Sequence, residues 1–133
     1  MALVHKFSIS YQNSDSKYTV NLPDDLLQYL GDSLQWINTK WNGREVRAGI
    51  PYYGFSIIEG GEIEKLLEII ERWKRLFELA PNSFYITGEF MPEESRYQKI
   101  LVDKGEAIQI FNLWIELCKH AIEKELEILY EGI

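Results

Sequence analysis

The sequence predicts an α+β domain: a mostly antiparallel sheet packed by two or three helices, one of them long and near the C-terminus. Three observations predict it. Short apolar runs bounded by turn clusters read as strands. Two long stretches carry apolar residues at three- and four-residue spacing and read as helices. Neighbouring strands are joined by short, turn-rich connections, which favour antiparallel pairing. The 133 residues show no repeat, low-complexity segment or linker, so 1–133 reads as one domain.

Val4, Phe7, Ile9 and Tyr11 predict an opening strand, "QNSDSK" a turn and "YTVNL" a second strand, the pair forming a hairpin. "LPDDLLQYLGDSLQWIN" predicts a helix, with Pro23 at its first position and Asp24 and Asp25 at the positive end of its dipole. Leu26, Leu27, Leu30, Leu34 and Ile37 form its apolar stripe, and Gly31 weakens its middle. "NG" at 42–43 and "GIP" mark turns around a short strand "REVRA"; "YYGFSII" follows as a better strand closed by Gly60 and Gly61. A long helix is expected from about Glu62 to Leu79, facing the core with Ile63, Leu66, Leu67, Ile70, Trp73 and Phe77. "SFYITGEF" and "RYQKILV" then pair across "MPEES". A last helix starts near Lys104, its stripe being Ile108, Phe111, Ile115, Cys118, Ile122 and Leu129 and its outer face Glu116, His120, Glu123 and Glu127.

The net charge of −7 is unevenly placed. Residues 1–58 hold five basic and five acidic side chains, and residues 59–133 nine basic and sixteen acidic, so the whole excess lies in the second part. Nucleic acid needs phosphate-neutralising Lys and Arg, so this balance argues against nucleic acid and for a basic protein partner. A single cysteine excludes an internal disulfide and fits a reducing compartment. No signal peptide is visible, and no apolar run approaches the ~20 residues of a membrane span, so the expected location is cytoplasmic, away from membranes.

Catalytic signatures are absent. Glu116 and His120 stand at i and i+4, but two ligands from one helix do not make a metal centre, so no metal and no cofactor are expected. Cys118 falls on an apolar stripe, where a thiol is packing; His120 points away from it. No phosphate loop, dinucleotide fingerprint or nucleophile elbow occurs, and acids at 59, 62 and 64 would repel phosphate from the helix that "EGGE" opens. Glu89, Glu93 and Glu94 are the carboxylates grouped in and beside a turn, but acid–base work needs such groups in a cleft, and loop acids are usually solvated.

"TKWNGREVRAGIPYYGFS" interleaves Trp41, Tyr52, Tyr53 and Phe55 with Lys40, Arg44 and Arg47. Strand alternation sets Tyr53 and Phe55 on one face and Tyr52 on the other, so half of the set is core and half a contact surface. Tyr, Trp and Arg are enriched at binding hot spots.

The chain order, with "GIPYYGFSIIEGGEIE", "APNSFYITGEF" and "HAIEKELEILYEGI", resembles small immunity proteins of bacterial polymorphic-toxin and contact-dependent inhibition systems. The resemblance implies a cytosolic, non-enzymatic α+β protein that binds and blocks a cognate toxin domain, one expected to be basic. Charge and composition put the candidate contacts at Trp41, Arg44 and Tyr52 and on the acidic faces Glu64, Glu68 and Glu71, and Glu116, Glu123 and Glu127. The alternative is a small-molecule-binding or enzymatic domain with a pocket near Tyr53, Arg44 and Glu89.

Overall fold

The first strand, β1 (Val4–Ile9), buries His5, Phe7 and Ile9 and exposes Val4 and Lys6. That alternation lays one face on the core. In this computed structural model, which describes residues 3–10 and 18–133, β2 (Val20–Pro23) pairs antiparallel with β1 as expected, Val20 lying opposite Phe7. Tyr11 and "QNSDSK" lie outside the described residues.

Helix α1 (Asp24–Leu34) starts one residue later than expected: Pro23 is its N-cap in extended conformation, and Asp24 and Asp25 occupy the first turn. Leu26, Leu27, Leu30 and Leu34 are buried. The helix stops before the tail the sequence suggested. Ile37 is still core, but it leads into a strand missing from the sequence reading, β3 (Asn38–Trp41). β4 (Glu45–Ala48) returns along β3 through a turn in which Asn42 and Gly43 both have positive φ, 57° and 72°. β5 is only Phe55–Ile58; Tyr52 to Gly54 form a bend ahead of it, with Gly54 at φ 91°. The expected alternation of Tyr52, Tyr53 and Phe55 along one strand therefore does not hold.

Helix α2 (Gly61–Glu78) buries Ile63, Leu66, Ile69, Ile70 and Phe77; Leu67 and Trp73 are half-buried at the edge of the core. Trp73 still locks α2 to α1: its Nε1 donates to Ser33 Oγ at 2.8 Å, and its ring meets Tyr29 and Phe77 edge-on. Trp73→Ala is expected to lower the unfolding free energy by about 3 kcal/mol. A loss below about 1 kcal/mol in urea unfolding would show that the seam does not rest on this ring.

β6 (Ser83–Met91) and β7 (Arg96–Asp103) form a separate two-stranded sheet, joined by a short turn at Pro92–Glu94 and kinked by a bulge between Thr87 and Phe90. Its inner residues Phe84, Ile86 and Val102 pack on the core, Phe84 against Phe77.

Helix α3 (Lys104–Glu123) is capped by Asp103, whose carboxylate accepts the Gly105 amide at 3.0 Å. Its buried face includes Phe111, Ile115 and Cys118 as expected, and also Trp114 and Leu117; Trp114 is fully buried against Phe7. The expected continuation of this helix to Leu129 is overturned. Glu125 takes φ 55°, the Leu126 amide bonds back to the Ala121 carbonyl at 2.8 Å, and the chain turns into an eighth strand, β8 (Ile128–Glu131). This is the closure of a Schellman turn, with a glutamate where glycine is usual.

β8 is central. The six-stranded sheet runs β2-β1-β8-β5-β3-β4 with every pairing antiparallel, so the last strand joins the N-terminal hairpin to the rest. One core fills the space between the buried sheet face, which includes Phe7, Leu22, Ile128 and Tyr130, and the apolar stripes of the three helices. The architecture is the expected α+β arrangement, with α3 as the long helix near the C-terminus.

Candidate functional site

A buried polar network crosses the middle of the sheet. His5 is fully buried; its Nε2 lies 2.8 Å from Asp24 Oδ1 and its Nδ1 2.7 Å from the Tyr130 hydroxyl. A carboxylate only accepts, so Nε2 carries the proton and, in neutral His5, Nδ1 accepts from Tyr130. Asp24 also accepts from Gln28 Nε2 at 2.8 Å and from the Tyr52 phenol. Burial works to raise the Asp24 carboxyl, but the bonds from His5, Tyr52 and Gln28 outweigh it and hold it below its ordinary range. The bond to Asp24 in turn raises the Tyr52 phenol, and burial above all raises that of Tyr130. Asp, His and a hydroxyl in line resemble a nucleophile relay, yet His5 and the Tyr130 hydroxyl side are sealed in the core, so no substrate reaches them. The network ties β1, β8, α1 and the bend before β5 together. The sequence alone assigned His5 no role. Its place in the alternation with Phe7 and Ile9 was the available signal.

Asp24 also faces a cleft of about 310 Å³ between α1 and the β6–β7 hairpin, lined by Asp25, Gln28, Thr87, Glu89 and Gln98 among others. Of the residues expected to share a pocket, Glu89 lies here; Tyr53 and Arg44 do not line this cleft.

The acidic candidates separate into two groups. Glu64 and Glu127 meet at a cavity of about 730 Å³ between the start of α2 and the end of α3. Glu59 and Glu125 complete its acidic rim, above an apolar floor that includes Ile63, Ile122 and Leu126. Glu127 reaches the rim from the turn ahead of β8, not from a helical face as expected. Glu59 and Glu127 are hydrogen-bonded to each other. That bond raises the Glu127 carboxyl and lowers that of Glu59, which also pairs with Lys40 Nζ at 2.8 Å. Two carboxylates this close oppose each other's ionisation, so they do not titrate independently.

Glu71 and Glu116 lie together elsewhere, in a groove between α2 and α3 that also holds Lys74, Arg75 and Lys119. Their charge is locally offset. Glu68 and Glu123 are exposed and line neither cavity. Trp41 is half-buried: its Nε1 donates to the Gly49 carbonyl at 3.0 Å, and Arg47 sits 5.4 Å over its ring. Arg44 is exposed in the β3–β4 turn, whereas Tyr52 is committed to Asp24 and packs edge-on against His5. The aromatic stretch is thus chiefly structural, with Tyr53 and the Trp41–Arg47 stack at its surface.

Cys118 is buried, and burial pushes its thiol up to about 12, with the charge of Glu71 a smaller contribution. His120 is half-buried and stacks on the Tyr18 ring at 3.9 Å. Among the described residues, no group of three or more His, Cys, Asp and Glu is placed to hold a metal ion, and no helix is long and apolar enough to cross a membrane. No protein-family model, curated protein or solved structure matches the chain.

Proposed function

We propose that this chain is a non-enzymatic immunity protein that binds a basic toxin domain and neutralises it, with the Glu59–Glu64–Glu125–Glu127 cavity as the centre of its contact surface. The cavity carries the reading. Its acidic rim stands over an apolar floor, the chemistry that suits a lysine or arginine side chain: carboxylates pair with the charged head and the floor packs the aliphatic stem. The placement of the whole −7 excess in residues 59–133 supports the same partner, because a negative field speeds encounter with a cation. The immunity role itself rests on the resemblance described above. Co-expression with a basic toxin domain that the chain is expected to block tests it. The wild-type chain should restore growth and Glu64→Lys/Glu125→Lys should not, although both positions are exposed and the variant should stay folded. Full rescue by the double variant would remove the cavity from the interface.

A second reading follows from the cleft at Asp24. Its size lies at the lower end of small-ligand sites, and the His5 network fixes one of its carboxylates. A small cationic ligand would occupy it. Protection of the Asp25 and Glu89 resonances by an added amine, with those at the Glu64 rim unmoved, would favour this reading over the first.

A further inference from the structure

The β6–β7 hairpin turns its inner residues to the core and leaves a second face uncovered. Register places Tyr85 opposite Leu101, Thr87 opposite Lys99 and Phe90 opposite Tyr97 along that outer face, Thr87 also bordering the Asp24 cleft at the hairpin's edge. Tyr85 and Leu101 are 64% and 63% exposed, Phe90 and Tyr97 50% and 55%. The Phe90 and Tyr97 rings meet edge-on at 5.1 Å, and Lys99 Nζ donates to Thr87 Oγ1 at 3.0 Å. The face is therefore ordered from within: an apolar pair, a satisfied polar pair and an aromatic pair.

We propose that this face is the contact between two copies of the chain. Charge is the first reason. The chain carries −7, yet Lys99 is the only charged residue among these six. Two copies repel one another over most of their surface and least here. A basic partner of the kind proposed for the acidic cavity gains little from these six side chains, whose one charge is positive; the next charge along the face, Asp103 opposite Ser83, is engaged in capping α3. Self-complementarity is the second reason. The face carries both a cation and exposed rings, so a two-fold contact can set each Lys99 against a ring of the other copy and use the pairing twice. Area is the third. The four exposed large side chains offer roughly 400–500 Å². Two copies would bury on the order of 1,000 Å², the lower limit of specific interfaces, so the dimer is weak and concentration-dependent. β7 leads into the first turn of α3, while the acidic cavity lies at its last turns, so the two surfaces sit at opposite ends of that helix and both stay available.

Sedimentation velocity on the full chain, over a series reaching about 1 mM, tests the proposal. The wild-type weight-average mass should rise toward that of a dimer. Tyr97→Glu should weaken association at least tenfold, and Tyr85→Glu with it. Tyr53→Glu changes a still more exposed tyrosine outside the hairpin and should leave association unchanged. If Tyr97→Glu alters the thermal midpoint, Leu101→Arg carries the same test from the opposite strand. A monomer at every concentration overturns the proposal, as does a dimer indifferent to Tyr97→Glu and Leu101→Arg, or one that Tyr53→Glu dissolves. A monomeric wild type whose growth rescue is lost in Tyr97→Glu would assign the face to a different protein, and the dimer would be excluded.

Discussion

His5→Ala is expected to cost about 3–5 kcal/mol, a large share of the stability of a domain this size. The ring is fully buried and bonded on both nitrogens. Its loss strands the Tyr130 hydroxyl in the core and takes from Asp24 its bond to the sheet. The penalty for such orphaned groups exceeds the net worth of the bonds themselves. It acts where β1 meets the central strand β8, so the damage reaches both halves of the sheet. Tyr130→Phe removes only the hydroxyl and leaves Nδ1 without a donor; a smaller loss of about 1–2 kcal/mol is expected. Urea unfolding of both variants checks the order. Equal stability of His5→Ala and wild type would show that the network is dispensable.

The same network sets an acid limb. Asp24 titrates below its ordinary value of 3.8 in the folded chain, so the unfolded chain binds the proton first as pH falls. The stability this carboxylate contributes is complete above that value and is lost as pH drops through the lower folded value. His5→Ala removes a main cause of the shift. The variant should therefore lose less additional stability than wild type on going from pH 5 to pH 2, although it starts lower.

How far the sequence discloses this molecule depends on the kind of signal each element carries. α2 and most of α3 follow from spacing alone, because long amphipathic helices repeat their pattern several times. β6 and β7 follow from alternation around a proline turn. The failures are local. β3 was hidden because "QWINTKW" extends the apolar phase of α1: Ile37 is buried in either conformation, so its periodicity does not distinguish helix from strand. β8 was hidden because the residue in the left-handed turn after α3 is Glu125. With no glycine or proline to mark the stop, the stripe reads on through Leu129. That one missed turn also misplaced Glu127, moving it from a helical face to the cavity rim. The candidate site was thus half legible. Of the six acids singled out from the sequence, Glu64 and Glu127 lie on the cavity rim, whereas Glu59 and Glu125 were not among them. The convergence of Glu59 and Glu127 depends on pairing distant strands, which no local pattern encodes. Tyr52 shows the opposite case, since its exposure was inferred from an alternation that the Gly54 bend removes.

Glu64→Lys/Glu125→Lys is expected to slow association with the basic toxin domain by tenfold or more at low salt, with a much smaller change in dissociation. Each substitution exchanges a negative for a positive charge on the cavity rim, so the local charge moves by four. Steering by such a field is worth 10- to 1,000-fold in association rate. Both residues are exposed, so their ion pairs are screened and contribute little to residence time. The salt dependence identifies the cause. The Debye length falls from ~30 Å at 0.01 M to ~3 Å at 1 M, so wild type and variant should converge as salt rises, and the variant's own salt slope should flatten or reverse. Glu71→Lys/Glu116→Lys makes the same formal change in a groove already holding Lys74, Arg75 and Lys119. It should have the smaller effect if the cavity faces the toxin. Net charge alone would make the two double variants equivalent, because both move the chain from −7 to −3. Equal slowing would therefore reduce the acidic half to a long-range attractor without a docking site, whereas a larger effect of Glu64→Lys/Glu125→Lys places the contact at the junction of α2, α3 and β8.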